Sequence, residues 1–481
     1  MQETRSSATL ARGTKLYMAS QLVTQFTAVV RFSVLARLLG PEQLGLAAII
    51  ILAMQFFDFV SDAGMDRFLV QSRDGDDPNV QKLIHLAAIV RGVFISGCIF
   101  LTSGIVADFY GDQSLAGALR LAALAPLVQG ALHYDMRRIQ RFNDYRAEAW
   151  CAFSEPAGLV ATAIAAFALQ SCAAVSYGLV ARACALLILS RIVAERPYRI
   201  GFSRDHFRQI AVFGTPLMLN GLLMFATNQG DRLFISAILP LTALAHYSTV
   251  ILLIYYPAAI VSRLIQTFNL PQLAASRQSE IDHDSAIDKV VRQTVGVGLL
   301  MLIGYVAVAP SAIPVLFGRI YEQPLHLIAL VALLQMIRFT RIWPTTLALA
   351  TGRTHQVLIN SLIRLVAFPT GYVGYFLVGG LEGLLFGIGA GELLALLLGI
   401  VGVNRAGGRP SGSDLRLLGL TLATGICIWL GGIAIDRTAY ALAVASLCLA
   451  AGFLVYLFAR ERAILADTAA LVFKRFEQPR G

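Results

Sequence analysis

Seven arginines stand where an apolar chain has little use for them: Arg31, Arg91, Arg120, Arg182, Arg338, Arg341 and Arg364 each fall inside a long run of mostly hydrophobic residues. An ionised side chain in hydrocarbon costs several kcal/mol unless it meets a partner or a polar cavity, so each of these positions is a candidate for function. Acidic residues in comparable settings are fewer, namely Asp58, Glu155 and Glu392. The interior is therefore net cationic. Guanidinium groups present a planar fork of donors that pairs with phosphate or carboxylate oxygens, so the chemistry on offer is the binding of an anion. A cationic cargo would call for the opposite sign.

Each residue has a second reading. Arg91 and Arg120 lie nearer the ends of their runs and can snorkel to an interface. Arg31, Arg182, Arg338, Arg341 and Arg364 either line a transport path or form fixed ion pairs between packed helices. Arg338 and Arg341 are three residues apart and share a helix face, and Pro344 just beyond can break that helix and free carbonyl groups. Asp58, Glu155 and Glu392 are either proton or sodium sites or the partners of the arginines. Gln129, Gln335 and Asn228 add neutral polar groups that can face a cavity or make a local hydrogen bond.

The elements that carry these residues follow from composition. The chain has 481 residues, 57% hydrophobic and 14% charged, where an ordinary globular domain carries roughly 25% charged residues. Apolar runs long enough to cross a bilayer occur near 14–36, 43–62, 83–108, 115–136, 147–169, 173–190, 209–230, 244–262, 293–310, 326–350, 355–377, 383–402, 417–434 and 440–459. They lack the alternation of barrel strands, so they predict an all-α integral membrane protein of about 14 transmembrane helices.

The remaining basic residues set topology. Alternate connections, among them 63–82, 137–146, 191–208 and 263–292, hold 28 of the 39 Lys and Arg together with both termini. The opposite loops hold Arg37, Arg232, Arg319 and Arg437. Positively charged loops stay in the cytoplasm, so both termini are expected there and the net charge of +10 says nothing of nucleic acid. All six cysteines lie in or beside apolar segments and the seven histidines are scattered, so no metal, cofactor or disulfide is expected. No GxxxxGK[ST] loop is present. The run Asp74-Gly-Asp-Asp77 resembles a glycosyltransferase metal motif but sits in a short loop with no nucleotide-binding fold around it. The expectation is a protein that is not an enzyme.

Two internal matches suggest duplication. Leu39-Gly-Pro-Glu-Gln-Leu44 returns in degraded form as Leu239-Pro-Leu-Thr-Ala-Leu244, and the stretch Leu119 to Gln129 matches Leu325 to Gln335. The expected organisation is two pseudo-symmetric six-helix lobes, 1–200 and 201–405, followed by 406–481 with two C-terminal helices and a cytoplasmic tail. Even-numbered halves run parallel, with a cavity expected between them.

The segment Arg37-Leu-Leu-Gly-Pro-Glu-Gln-Leu-Gly45, with Phe59-Val-Ser-Asp-Ala-Gly64, Leu69-Val-Gln71 and Asn228-Gln-Gly-Asp-Arg-Leu-Phe-Ile235, resembles the bacterial polysaccharide and O-antigen flippases of the multidrug, oligosaccharidyl-lipid and polysaccharide exporter superfamily. The resemblance implies alternating access that moves a lipid-linked oligosaccharide of the undecaprenyl diphosphate type across the bacterial inner membrane for exopolysaccharide or lipopolysaccharide assembly. It also implies contact with membrane lipids, and with a polysaccharide polymerase and export machinery as partners. A cation-coupled drug antiporter on the same fold is the alternative, and a membrane glycosyltransferase or polymerase a more distant one. In the Asn228 segment, Asp231 and Arg232 can partner each other or cap a helix end.

Overall fold

The structure, a computed structural model, describes residues 2–142, 144–276, 280–405, 412–438 and 440–460. Among the described residues every element is helical. The long ones are α1 (Gln2–Leu38), α2 (Pro41–Val60), α3 (Pro78–Tyr110), α4 (Ser114–Gln129), α5 (Arg146–Leu169), α6 (Ala173–Ile192), α7 (Arg204–Ile238) and α8 (Leu241–Ala275). They continue as α9 (Glu280–Phe317), α10 (Leu325–Ala350), α11 (His355–Val378), α12 (Gly380–Arg405), α13 (Gly412–Asp436) and α14 (Tyr440–Arg460). Eleven helices among the described residues are long and apolar enough to cross a membrane, and Ser114–Gln129 and Val444–Val455 are shorter apolar helices. The chain is a multi-pass membrane protein.

Local sequence explains where helices begin and break. α2 and α3 start on Pro41 and Pro78, whose missing N–H is no loss in a first turn. The Asp77 carboxylate then accepts the N–H of Asn79 at 2.7 Å and caps α3. A proline inside a helix leaves the carbonyl four residues earlier without its donor. Four helices are interrupted about one turn before such a proline: α4 at Ala123 before Pro126, α5 at Ala152 and Phe153 before Pro156, α10 at Arg341 before Pro344, and α11 at Arg364–Val366 before Pro369. In α5, α10 and α11 the interruption lies at or beside a charged residue singled out above.

The chain divides into two compact units, one of Met1–Gln229 with Pro240–Ala245 and one of Gly230–Leu239 with His246–Gly481. The division falls inside α7. In the first unit α7 lies against the end of α2: a side chain at Gly214 would press on Ala63, and Phe225 meets Phe56 edge to face at 5.3 Å. α5 and α6 cross on small residues, since a Cβ at Gly158 would sit 2.8 Å from Cβ of Arg182 and one at Gly178 would sit 2.9 Å from the Gly158 carbonyl. The second unit repeats this device in α11 and α12. A Cβ at Gly374 would fall 2.8 Å from Cα of Gly387, and one at Gly391 would fall 2.5 Å from Cα of Ala367. Small residues let helices approach closely and so hold whatever polar groups lie on the same faces in register. α10 is the most enclosed helix, with 72% of its apolar window buried, and it packs among α9, α12 and α13.

Candidate functional site

In the first unit the α5–α6 crossing places Glu155 against Arg182. The Glu155 side chain is buried, and its Oε1 accepts Nε of Arg182 at 2.5 Å while its Oε2 lies 3.7 Å from Nη1 of Arg31 on α1. One carboxylate thus serves two guanidinium groups. In the second unit the α11–α12 crossing does the same for Glu392, only 2% exposed. Oε1 accepts Nε of Arg338 at 3.0 Å and Nη2 of Arg364 at 3.3 Å, and Oε2 accepts Nη1 of Arg341 at 2.6 Å. One carboxylate here serves three guanidinium groups.

Asp231 completes the second cluster. Its carboxylate, 3% exposed, accepts the Tyr247 hydroxyl at 2.6 Å and Nη1 of Arg338 at 2.8 Å. The neighbouring Arg232 contributes its backbone N–H at 2.8 Å. The partner of Asp231 is therefore an arginine on α10 as well as its own neighbour, and the residue sits in the ion network rather than capping a helix end. Asp231 and Tyr247 are the members of this cluster that residue-by-residue reading did not select. The Asn-x-x-Asp-Arg resemblance was the signal that pointed to the first of them.

The two clusters have the same parts with opposite signs. Helix α5 carries Glu155 and α6 carries Arg182, whereas α11 carries Arg364 and α12 carries Glu392. Arg31 on α1 and Asp231 on α7 each stand seven residues before the last residue of their helix. α10 then adds Arg338 and Arg341, so both clusters hold more guanidinium than carboxylate groups. Arg341, at the break in α10, also donates its Nη2 to the Asn360 carbonyl at 3.2 Å.

The other predicted residues lie elsewhere. Asp58 is exposed at the end of α2 and stands 3.6 Å from Arg91, which also donates to the Ser61 hydroxyl at 2.8 Å. Both line a cavity of about 400 Å³ in the first unit together with Gln129, Asp66, Tyr134 and Arg137. Gln335 is buried on α10 with its amide nitrogen making no hydrogen bond. Asn228 is half-buried on α7 in the first unit. Arg120 donates to the Ser103 hydroxyl at 3.1 Å and lies over the Phe100 ring.

A further polar network escaped sequence reading. Asp135, in the connection from α4 to α5, is fully buried and accepts Nε of Arg138 at 2.6 Å, Nε2 of Gln81 at 3.1 Å and the N–H of Glu195 at 2.7 Å. Asp76 pairs with Arg138 and Arg196, so one of the three carboxylates of the Asp-Gly-Asp-Asp run ties connecting segments together. Burial works against the Asp135 charge, but the Arg138 guanidinium and the N–H groups of Glu195 and Arg196 outweigh it and hold the carboxyl below the usual carboxylate range. A depressed carboxylate contributes stability that is present above about pH 4 and is lost as pH falls below it. Asp135→Asn would turn an amide N–H toward backbone donors and leave Arg138 undercompensated. Thermal unfolding in detergent should show a loss of about 3 kcal/mol at neutral pH, shrinking below about pH 4. Equal loss at all pH values would mean that the charge of Asp135 is not what matters.

The profile of a family described as polysaccharide biosynthesis protein matches residues 34–325. The succinoglycan biosynthesis transport protein ExoT of Rhizobium meliloti is 24% identical over 387 residues, covering 79% of this chain and 77% of that one. Among solved structures, the lipid II flippase MurJ in its inward closed conformation aligns with a TM-score of 0.67 at 10% identity, over 92% of this chain and 99% of that one. An inward-facing multidrug resistance MATE family transporter of the MOP superfamily aligns with a TM-score of 0.64 at 13% identity, over 80% and 94% respectively. At these identities the structural likenesses concern the fold.

Proposed function

This chain belongs to the polysaccharide biosynthesis protein family, and from that premise we propose that it flips a polyprenyl-diphosphate-linked oligosaccharide from the cytoplasmic to the periplasmic leaflet of the inner membrane by alternating access. The coarser statement, a membrane transporter of the flippase type, rests on the family match and on the relatives. The observation that carries the finer one is the sharing of Glu392 among three guanidinium groups and of Glu155 between two. A carboxylate shared in this way satisfies only part of the donor capacity around it, since each guanidinium has five N–H groups. A diphosphate offers several acceptor oxygens and at least two negative charges, so it can take up those donors without dismantling the cluster.

The same excess disfavours a cationic cargo, because a positively charged ligand approaching either cluster meets like charge. Arginine rather than lysine suits the role, since its charge persists in a poorly hydrated setting and its fork binds two oxygens at once. The diphosphate is the part of the cargo that every repeat unit would share, so the arginine clusters would recognise the carrier rather than the sugar.

A deletion strain tests the reading. Lipid-linked repeat units should accumulate on the cytoplasmic leaflet, surface polysaccharide should disappear, and sensitivity to cationic drugs should stay unchanged. Normal lipid-linked intermediates with raised drug sensitivity would instead establish drug export.

A further inference from the structure

At the end of the second unit opposite to Arg341, three helix ends meet around a single histidine. His326 is the second residue of α10, Glu382 lies in the first turn of α12, and Asp436 is the last residue of α13. Nδ1 of His326 is 2.6 Å from Oδ2 of Asp436, and Nε2 is 2.6 Å from Oε1 of Glu382. Asp436 also accepts the backbone N–H of His326 at 3.0 Å and that of Leu325 at 3.3 Å, so it caps the start of α10 from a neighbouring helix. Gly432 lets the two helices come this close, since a Cβ there would lie 2.9 Å from Cα of His326.

The arrangement fixes a proton count. A carboxylate only accepts, and a neutral imidazole carries one N–H. Both ring nitrogens face carboxylate oxygens, so closing both contacts takes one proton more than a neutral ring flanked by two carboxylates possesses. Asp436, already accepting two backbone N–H groups, remains the anion. The additional proton therefore resides between His326 and Glu382. Their side chains are 16% and 53% exposed, so that proton exchanges with solvent on the Glu382 side.

Among the described residues nothing else of comparable charge faces the ring. Along α10, α12 and α13 the next acidic or basic residues with described side chains are Arg338, Glu392 and Arg416, ten or more residues from His326, Glu382 and Asp436 respectively, and the Cys427 thiol on α13 is nine residues from Asp436. Arg437 follows Asp436 and is exposed. On α9, which also packs on α10, every Asp, Glu, His, Lys and Arg lies between Glu280 and Arg292, in the first third of the helix, and the Tyr305 hydroxyl donates to the Val250 carbonyl. In the turn before α10, Arg319 and Glu322 flank Tyr321, whose ring meets His246 of α8 rather than His326.

We propose that His326, Glu382 and Asp436 form a proton-binding clasp that joins the ends of α10, α12 and α13 when loaded and releases the start of α12 when the proton leaves. Loss of the proton sets a lone pair of Nε2 against the Glu382 carboxylate, while the Asp436 bonds to the start of α10 persist. The release is directional: α12 is freed and α13 is not. Glu392 lies ten residues further along the same helix, about 15 Å by the helical rise, so proton occupancy at the end of α12 bears on the carboxylate that holds Arg338, Arg341 and Arg364. The basic residues predict that this end of α10 faces the periplasm, where ambient pH varies with the medium.

The test uses the purified full-length chain in detergent and needs no cargo, so it stands apart from the assay of flipping. Unfolding midpoints are measured from pH 5.5 to 8.5 for the wild type, His326→Gln and Glu382→Gln. A contact that depends on protonation contributes at low pH and is lost as pH rises through the titration of the bound proton. The wild-type midpoint should fall by several degrees more across this range than that of His326→Gln, with the two profiles converging at high pH. Glu382→Gln removes the charge that retains the proton and should move the wild-type transition to lower pH. Parallel profiles for the wild type and His326→Gln overturn the proposal. Should His326→Gln fail to fold, a Glu382→Gln profile superposable on that of the wild type overturns it equally.

Discussion

Replacing Glu392 by Gln should leave Arg338, Arg341 and Arg364 with Asp231 as the one remaining carboxylate of their cluster, and the chain should lose most of its folded population. The side chain is buried and its two oxygens accept from three guanidinium groups. Breaking a buried ion pair by removing one partner costs about 3–5 kcal/mol, because the stranded charge pays its desolvation without return. That is a large share of the total stability of a folded domain. The readout is the amount of folded protein in the membrane fraction and its unfolding midpoint. A second substitution distinguishes charge from packing: Arg364→Met in the Glu392→Gln background removes one unpaired cation and should recover part of the loss. If it deepens the loss instead, the shared carboxylate is not an electrostatic keystone.

Arg341→Ala should behave in the opposite way. It removes a guanidinium from a carboxylate that two others still occupy, so the protein should reach the membrane in near-normal amount. Transport should fall by about 10- to 100-fold, the equivalent of one charge-assisted hydrogen bond of about 1.5–3 kcal/mol, if the diphosphate binds there. Surface polysaccharide normalised to membrane-inserted protein measures it, and unchanged export would remove Arg341 from the path. Arg338→Ala provides the contrast. It leaves Asp231 and the Tyr247 hydroxyl buried without their cation, so it should fail at folding before transport can be judged. The two arginines share a helix face, yet only one of them can be lost without orphaning an acid.

Much of this was legible before any coordinates. The apolar runs pointed to an all-helical membrane protein because a stretch of about 20 apolar residues has few alternatives to a helix in lipid; against the 14 runs read from the sequence, eleven helices among the described residues are long and apolar enough to cross. Pro344 marked the interruption in α10, because a missing N–H is a property of one residue, but Pro216, Pro257, Pro271, Pro310 and Pro314 lie inside helices that run on unbroken, so a proline alone does not fix where a helix breaks. Arg31, Arg182, Arg338, Arg341, Arg364, Glu155 and Glu392 stood out individually, since an ionised group in an apolar run is conspicuous whatever surrounds it. Asp231 was visible through its motif, but its setting was not. Reading it beside Arg232 gave a local pair, whereas the structure joins it to Arg338, 107 residues away. The Asp135 network was hidden for another reason. Its members sit in polar connecting segments, where charged residues are the rule and attract no notice.

The sequence by itself determined that the chain is helical and crosses the membrane many times, and that cations outnumber anions in its apolar runs. Only the tertiary structure decided which charges meet. Whether Glu155 faces Arg182, or Glu392 gathers three arginines, depends on the rotation and depth at which two helices cross. Those are set by small residues such as Gly158, Gly178, Gly374 and Gly387 acting in pairs from different helices. Hydrophobicity is a sum over residues and can be read along a chain. An ion pair is a distance between two residues, and that distance exists only once the helices have packed.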